Sequence, residues 1–146
     1  MSGLHTQLGA IAVAINALAA LTGGAAWLAR RNPKPFWIVL RIGQAMIMVQ
    51  AVIGAALSLA GHDMPRLHLV YGLTPIAVAF LAEQLRIMAT PTMLEQRGLS
   101  GGADVAKLPT DEQHALIVAI LRREIGVMAT SAGIVAVLAA RAQGWL

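Results

Sequence analysis

The 146 residues are 58% hydrophobic and only 12% charged, with a mean hydropathy of +0.69. Soluble domains carry about 25% charged residues, so this chain cannot cover a water-facing surface, and part of its solvent must be lipid. With no cysteine, disulfides, Cys-ligated zinc, iron–sulfur clusters and thiol nucleophiles are excluded. The net charge of +4 and pI near 10.7 would point to nucleic acid in a soluble protein; in a membrane protein the same excess reports topology. No phosphate loop, nucleophile elbow, zinc-binding His-Glu helix or nucleic-acid motif is present, so neither a nucleic-acid partner nor a catalytic residue is assigned. The size suits one domain over residues 1–146.

The chain opens with MSGLHTQLGA, which lacks the basic start of a secretory signal, so the first apolar segment is read as retained. A membrane helix needs about 20 largely apolar residues, and four segments qualify. The first runs from about Leu4 to Ala29 and ends at Arg30, Arg31 and Asn32. The second runs from Phe36 to Ala60 and stops at Gly61. The third begins near Pro65 and continues to Met88; Pro75 should kink it, with Thr74 satisfying the freed carbonyl. The fourth, about Ile125 to Ala140, should be the end of a longer helix over 112–141. Thr110 and Gln113 have the spacing of a capping box at its start. Between the third and fourth spans a partly helical loop, about 89–111, is broken by Pro91, the Gly98–Gly102 region and Pro109. The expected fold is an all-α four-helix transmembrane bundle.

Arg30, Arg31, Lys34, Arg41, Arg86, Arg97, Lys107, Arg122 and Arg123 fall on one side, and only Arg66 and Arg141 on the other. The positive-inside rule places the first group in the cytoplasm and both termini outside; a bacterial inner membrane is the expected location. Trp27, Phe36 and Trp37 should mark the inner interface and Trp145 the outer one. Contacts between helices in lipid form where small and polar residues align. His5, Gly9, Ala12, Asn16, Ala20 and Gly23 form such a stripe on the first span, and Gly43, Gln50, Gly54 and Ser58 on the second. The third offers His68, Gly72, Pro75, Ala79, Ala82 or Glu83, and Arg86, and the fourth Gly126, Ala129, Gly133 and Ala136.

Two histidines carry the functional question. His5 and His68 each lie about one turn inside the outer end of a helix, and each is followed four residues later by a glycine, Gly9 and Gly72. A missing side chain one turn below an imidazole leaves a slot for a flat ring, and helices one and three, placed diagonally, leave room for a plane between two imidazoles. Haem b with two axial histidines fits that arrangement; a mononuclear metal site lacks a third ligand. The alternatives are a His68 bonded to Asp63, His62 or a headgroup phosphate, and a His5 on a frayed surface. His62 and His114 read as solvated. Glu83 sits within the third span and should pair with Arg86 or Arg41, and the methionines, Met46 and Met48 among them, read as lipid-facing filler.

Gln50-Ala51-Val52-Ile53-Gly54, a short outer loop and then Leu67-His68 resemble the repeated half of haem A synthase, in which a Q-x-x-L-G-G type helix precedes one opening with Leu-His. His5 occupies the place of that family's preceding histidine. The resemblance covers about half the chain and implies a four-helix membrane unit with His5 and His68 as paired haem ligands on the outer side, beside Gln50 and Gly54. The chain departs from the pattern at Ile53-Gly54-Ala55 and at Thr6, where the family's glutamate and arginine around the histidine are missing, and it lacks loop cysteines. Haem binding, and not oxidation of a haem methyl group, is what the resemblance leaves to be expected. The expected function is therefore electron transfer by a bound haem b within a larger respiratory or photosynthetic complex. The alternative is a cofactor-free accessory or scaffold subunit packed against other membrane subunits or a second copy of itself. Transport, which would need a polar chain from His68 toward Glu83 through Thr74, Asn16, Gln50 and Gln44, stands third.

Overall fold

The structure, a computed structural model, describes residues 2–146. It consists of α1 (Ser2–Leu28), α2 (Lys34–Leu59), α3 (Arg66–Ile87), α4 (Ala89–Glu95), α5 (Gly102–Val105) and α6 (Thr110–Ala142), with no strand among the described residues. Four stretches are long and apolar enough to cross a membrane: α1, α2, α3 together with α4, and α6. This is the make-up of a multi-pass membrane protein. At about 1.5 Å per residue, the 33 residues of α6 span roughly 50 Å, well beyond a hydrocarbon core of about 30 Å. α6 is therefore longer than the hydrocarbon core requires, and Leu116 near its Thr110 end is buried.

The helix ends follow from local chemistry. Pro33 and Pro35 start α2, where the missing N–H would have no intrahelical partner. Gly61, at φ +83°, closes α2 by donating its N–H to Ser58 while the His62 N–H returns to Leu57. Arg30 closes α1 in the same way at φ 52°, a conformation that is strained for a residue with a Cβ. Pro91 cannot donate to Ile87, and the helix breaks there at Met88 between α3 and α4. The expected capping box is absent. Pro109 holds the N-cap position of α6 with no side-chain cap, and Gln113 donates from Nε2 to the Leu108 carbonyl at 2.8 Å instead. Asp111 and Glu112 supply the negative charge that the first turn favours.

α6 is the central element. It packs along both α1 and α3, and α1 packs along α2, whereas α2 and α3 touch only loosely. The seam between α2 and α3 is thus the open side of the bundle. Two apolar clusters hold it together. One contains Ala19, Ala26, Phe36, Leu40, Ala82, Ile125, Met128 and Ala132; the other contains Ala12, Ile47, Val135 and Ala139. Alanine is abundant in both because small side chains let backbones approach, which in lipid is the main source of helix attraction. Phe36 is not an interface marker. It is 1% exposed, because Gly23 has no Cβ where the ring passes: an added methyl would sit 2.4 Å from it. Met128, fully buried, is core and not lipid-facing filler, while Met48 is half exposed.

Candidate cofactor-binding site

At the end of the bundle where α1 begins and α6 stops, a cavity of about 360 Å³ is lined by all four long helices. His5 and Gly9 reach it from α1, Gln50 and Gly54 from α2, and His68 and Gly72 from α3. The six residues nominated from the sequence therefore meet in one place. The imidazole rings of His5 and His68 face each other across the diagonal of the bundle, with centroids 5.8 Å apart and planes inclined by 64°.

Each ring is set by its surroundings. His68 Nδ1 lies 2.9 Å from the carbonyl oxygen of Ala142. A carbonyl can only accept, so Nδ1 carries a proton, and the neutral ring keeps its lone pair on Nε2. This partner replaces the expected Asp63, His62 or headgroup. Asp63 and His62 are both exposed in the turn, as is His114 at the far end of α6. Gln50 donates from Nε2 to the His5 carbonyl oxygen at 2.8 Å and so holds the start of α1 against α2. Two buried polar atoms here have no hydrogen-bond partner among the described residues: His5 Nδ1 and Gln50 Oε1.

The glycines differ in their surroundings. Space at Gly72 is open, and at Gly54 an added Cβ would make ordinary contact, 3.7 Å, with His5 Cε1. The notch at Gly9 is filled: a Cβ there would meet the Gln143 side-chain nitrogen at 1.7 Å. Gln143 and Ala142, both from the C-terminal end of α6, are contributions that the sequence reading missed. The available signal was Gln143 itself, an uncharged polar residue directly after the last apolar turn of the fourth span.

Asn16, Thr74 and Glu83 are tied up elsewhere. Asn16 is 1% exposed and donates from Nδ2 to Ala12 O at 2.9 Å and to Gly43 O at 3.3 Å, pinning the α1–α2 crossing where Gly43 lacks a side chain. Thr74 bonds the Val70 carbonyl at 2.6 Å rather than that of Tyr71, the one Pro75 frees. Glu83 pairs with both expected partners: Arg41 from α2, and Arg86 at 2.9 Å on its own helix. Gln44 adds a third bond at 3.0 Å, and Arg86 reaches Glu124 on α6 at 3.9 Å. Such a cluster clasps three helices together and leaves no free carboxylate for a proton path.

No protein-family model, curated protein or solved structure matches this chain. What the chain does must therefore be read from its own side chains.

Proposed function

We propose that His5 and His68 together hold haem b in this cavity, and that the protein passes electrons within a larger membrane complex. The supporting observation is the facing pair of imidazoles. Metal–imidazole bonds of about 2 Å on either side of one ion, plus the reach from each nitrogen to its ring centre, require centroids roughly 6 Å apart, close to the 5.8 Å found. The resemblance of Gln50–Gly54 and Leu67-His68 to haem A synthase points the same way.

Held by His5 and His68, haem b would supply one-electron transfer. The chain's own residues prepare the site. The Ala142 carbonyl fixes the His68 tautomer and raises the basicity of the opposite nitrogen, the usual role of an outer partner of a metal-bound histidine. Gln50 positions His5 through its backbone, and the buried His5 Nδ1 and Gln50 Oε1, both without a hydrogen-bond partner among the described residues, leave polar capacity in the cavity. The loose α2–α3 seam gives a flat apolar group a sideways route from the bilayer.

One observation favours the cofactor-free accessory subunit: Gln143 already fills the Gly9 notch and narrows the space beside His5. The absorption spectrum of protein purified from a haem-supplied host separates the two readings. A Soret band with the features of six-coordinate low-spin haem is expected. Folded, colourless protein that takes up no added hemin would refute haem binding and leave the accessory subunit.

A further inference from the structure

We infer that the opposite, basic end of the bundle carries a binding groove for one acyl chain and the headgroup of an anionic phospholipid. The groove, of about 660 Å³, has α6 as its floor and α1 and α3 as walls. Thr130 lies on the floor, the Trp27 indole rests over Gly126 and forms one side, Leu81 and Leu85 stand on the other, and Arg123 lines the basic end.

Length identifies the occupant. From Arg123 to Ile134 the floor covers 11 helical steps, roughly 16 Å at about 1.5 Å each. That is half of a hydrocarbon core of about 30 Å, the depth of one leaflet. Charge identifies the headgroup. Arg122 lies over the Trp27 ring, 4.6 Å from guanidinium carbon to centroid, and its Nε is buried without a hydrogen-bond partner. Arg123 reaches only the weakly accepting sulfur of Met93, at 3.9 Å. Neither arginine has a carboxylate partner among the described residues, while the neighbouring Glu124 is engaged by Arg86. Arg123 lines the groove and Arg122 stacks on Trp27, one of its walls; two adjacent guanidiniums without a carboxylate partner at the end of an apolar groove fit a phosphodiester with an acyl chain below it.

The test is native mass spectrometry of the full-length protein in detergent, titrated with palmitoyl-oleoyl phosphatidylglycerol or phosphatidylcholine. Wild-type protein should retain phosphatidylglycerol over phosphatidylcholine by roughly tenfold, the order that two arginines at an anionic headgroup supply. R122Q/R123Q should lose that preference and R122K/R123K should keep most of it. Thr130→Phe, an exposed position on the floor, should lower retention of both lipids with helicity unchanged. Equal retention of the two lipids by the wild type, or an unaltered preference in R122Q/R123Q, overturns the inference. So does a wild-type dimer that Thr130→Phe converts to monomer, which would give the groove to a second copy.

Discussion

The imidazole of His68, in the first turn of α3, donates to the carbonyl oxygen of Ala142, the last residue of α6, at 2.9 Å. That carbonyl is one of the four that a helix leaves unsatisfied at its C-terminus, so one bond caps α6 and orients a prospective ligand. The two roles can be separated. His68→Gln can still reach the carbonyl but offers no imidazole, whereas His68→Ala loses both functions. Hemin titration followed by absorbance should show binding weakened in both variants by more than the roughly 10–100-fold typical of losing an outer partner. Only His68→Ala should lose stability as well, by about 1 kcal/mol. His5→Ala should match the binding loss, and His62→Ala and His114→Ala, both exposed, should leave it unchanged. A His68→Gln protein with the wild-type spectrum would remove His68 from the site.

Gly9 and Gly23 lie on one face of α1, yet the same methyl should have opposite consequences at the two positions. At Gly9 the obstacle is the far end of the Gln143 side chain, which can swing away. At Gly23 it is the Phe36 ring at 2.4 Å and the Ala129 Cβ at 2.7 Å, both inside the core. Gly23→Ala should therefore destabilise by about 1–3 kcal/mol, the range for overpacking, and Gly9→Ala by less than about 1 kcal/mol. Reversible unfolding in mixed micelles measures both.

Glu83 faces two arginines from different helices, so its removal leaves two like charges together. Glu83→Gln should cost about 1–2 kcal/mol, below the range for fully buried pairs because Arg41 is half exposed. Arg41→Gln in the same chain should recover part of that loss, since one uncompensated cation is then gone. A double-mutant cycle in which the two losses simply add would show that the clasp contributes nothing to holding α2 against α3.

Much of this architecture could be read from the chain because lipid leaves few options. Four long apolar runs punctuated by prolines and basic residues admit little but spanning helices; His5, Gly9, His68 and Gly72 could be placed together from helical spacing and depth, and Gln50 and Gly54 joined them through the resemblance to haem A synthase. The rest depended on which helix occupies the centre. The sequence pattern assigned α6 a single stripe of Gly126, Ala129, Gly133 and Ala136, but its buried residues, such as Met128, Ala132, Val135, Ala136 and Ala140, lie on two faces. A helix gripped from both sides carries its C-terminal end into the cavity, which is how Ala142 and Gln143 arrive there. Phe36 was misplaced for a related reason: periodicity marks an aromatic at a helix start but not the missing side chain on α1 that admits it.

The chain contains no cysteine, so single cysteines report sidedness without background. Positions 2 and 144 belong to the cavity end and position 100 to the basic end. By the positive-inside rule, a membrane-impermeant maleimide added to spheroplasts should label Ser2→Cys and Gly144→Cys and spare Ser100→Cys until the cells are lysed. The reverse pattern would place the cavity on the cytoplasmic side.

Outside the spans, Asp104 organises the connection between α4 and α6. Its carboxylate accepts from Lys107 Nζ at 2.9 Å and from the Ser100 backbone N–H at 3.0 Å. The Lys107 ammonium, and after it the Ser100 amide, hold this carboxyl below its ordinary value. A group whose pKa is depressed by folding contributes its stabilisation fully above the unfolded value, near 3.9 for aspartate, and loses it as pH falls through the lower folded value. The loop should therefore keep its fold to a pH at which free aspartate is already half protonated, and loosen only below that. The Ser100 amide proton shift, followed by NMR from pH 6 downward, should titrate with a midpoint under about 3.9. In Lys107→Ala, which removes the larger of the two influences, the midpoint should rise toward that value. A midpoint identical in the two proteins would mean that the ammonium is too well screened by water to act on the carboxylate.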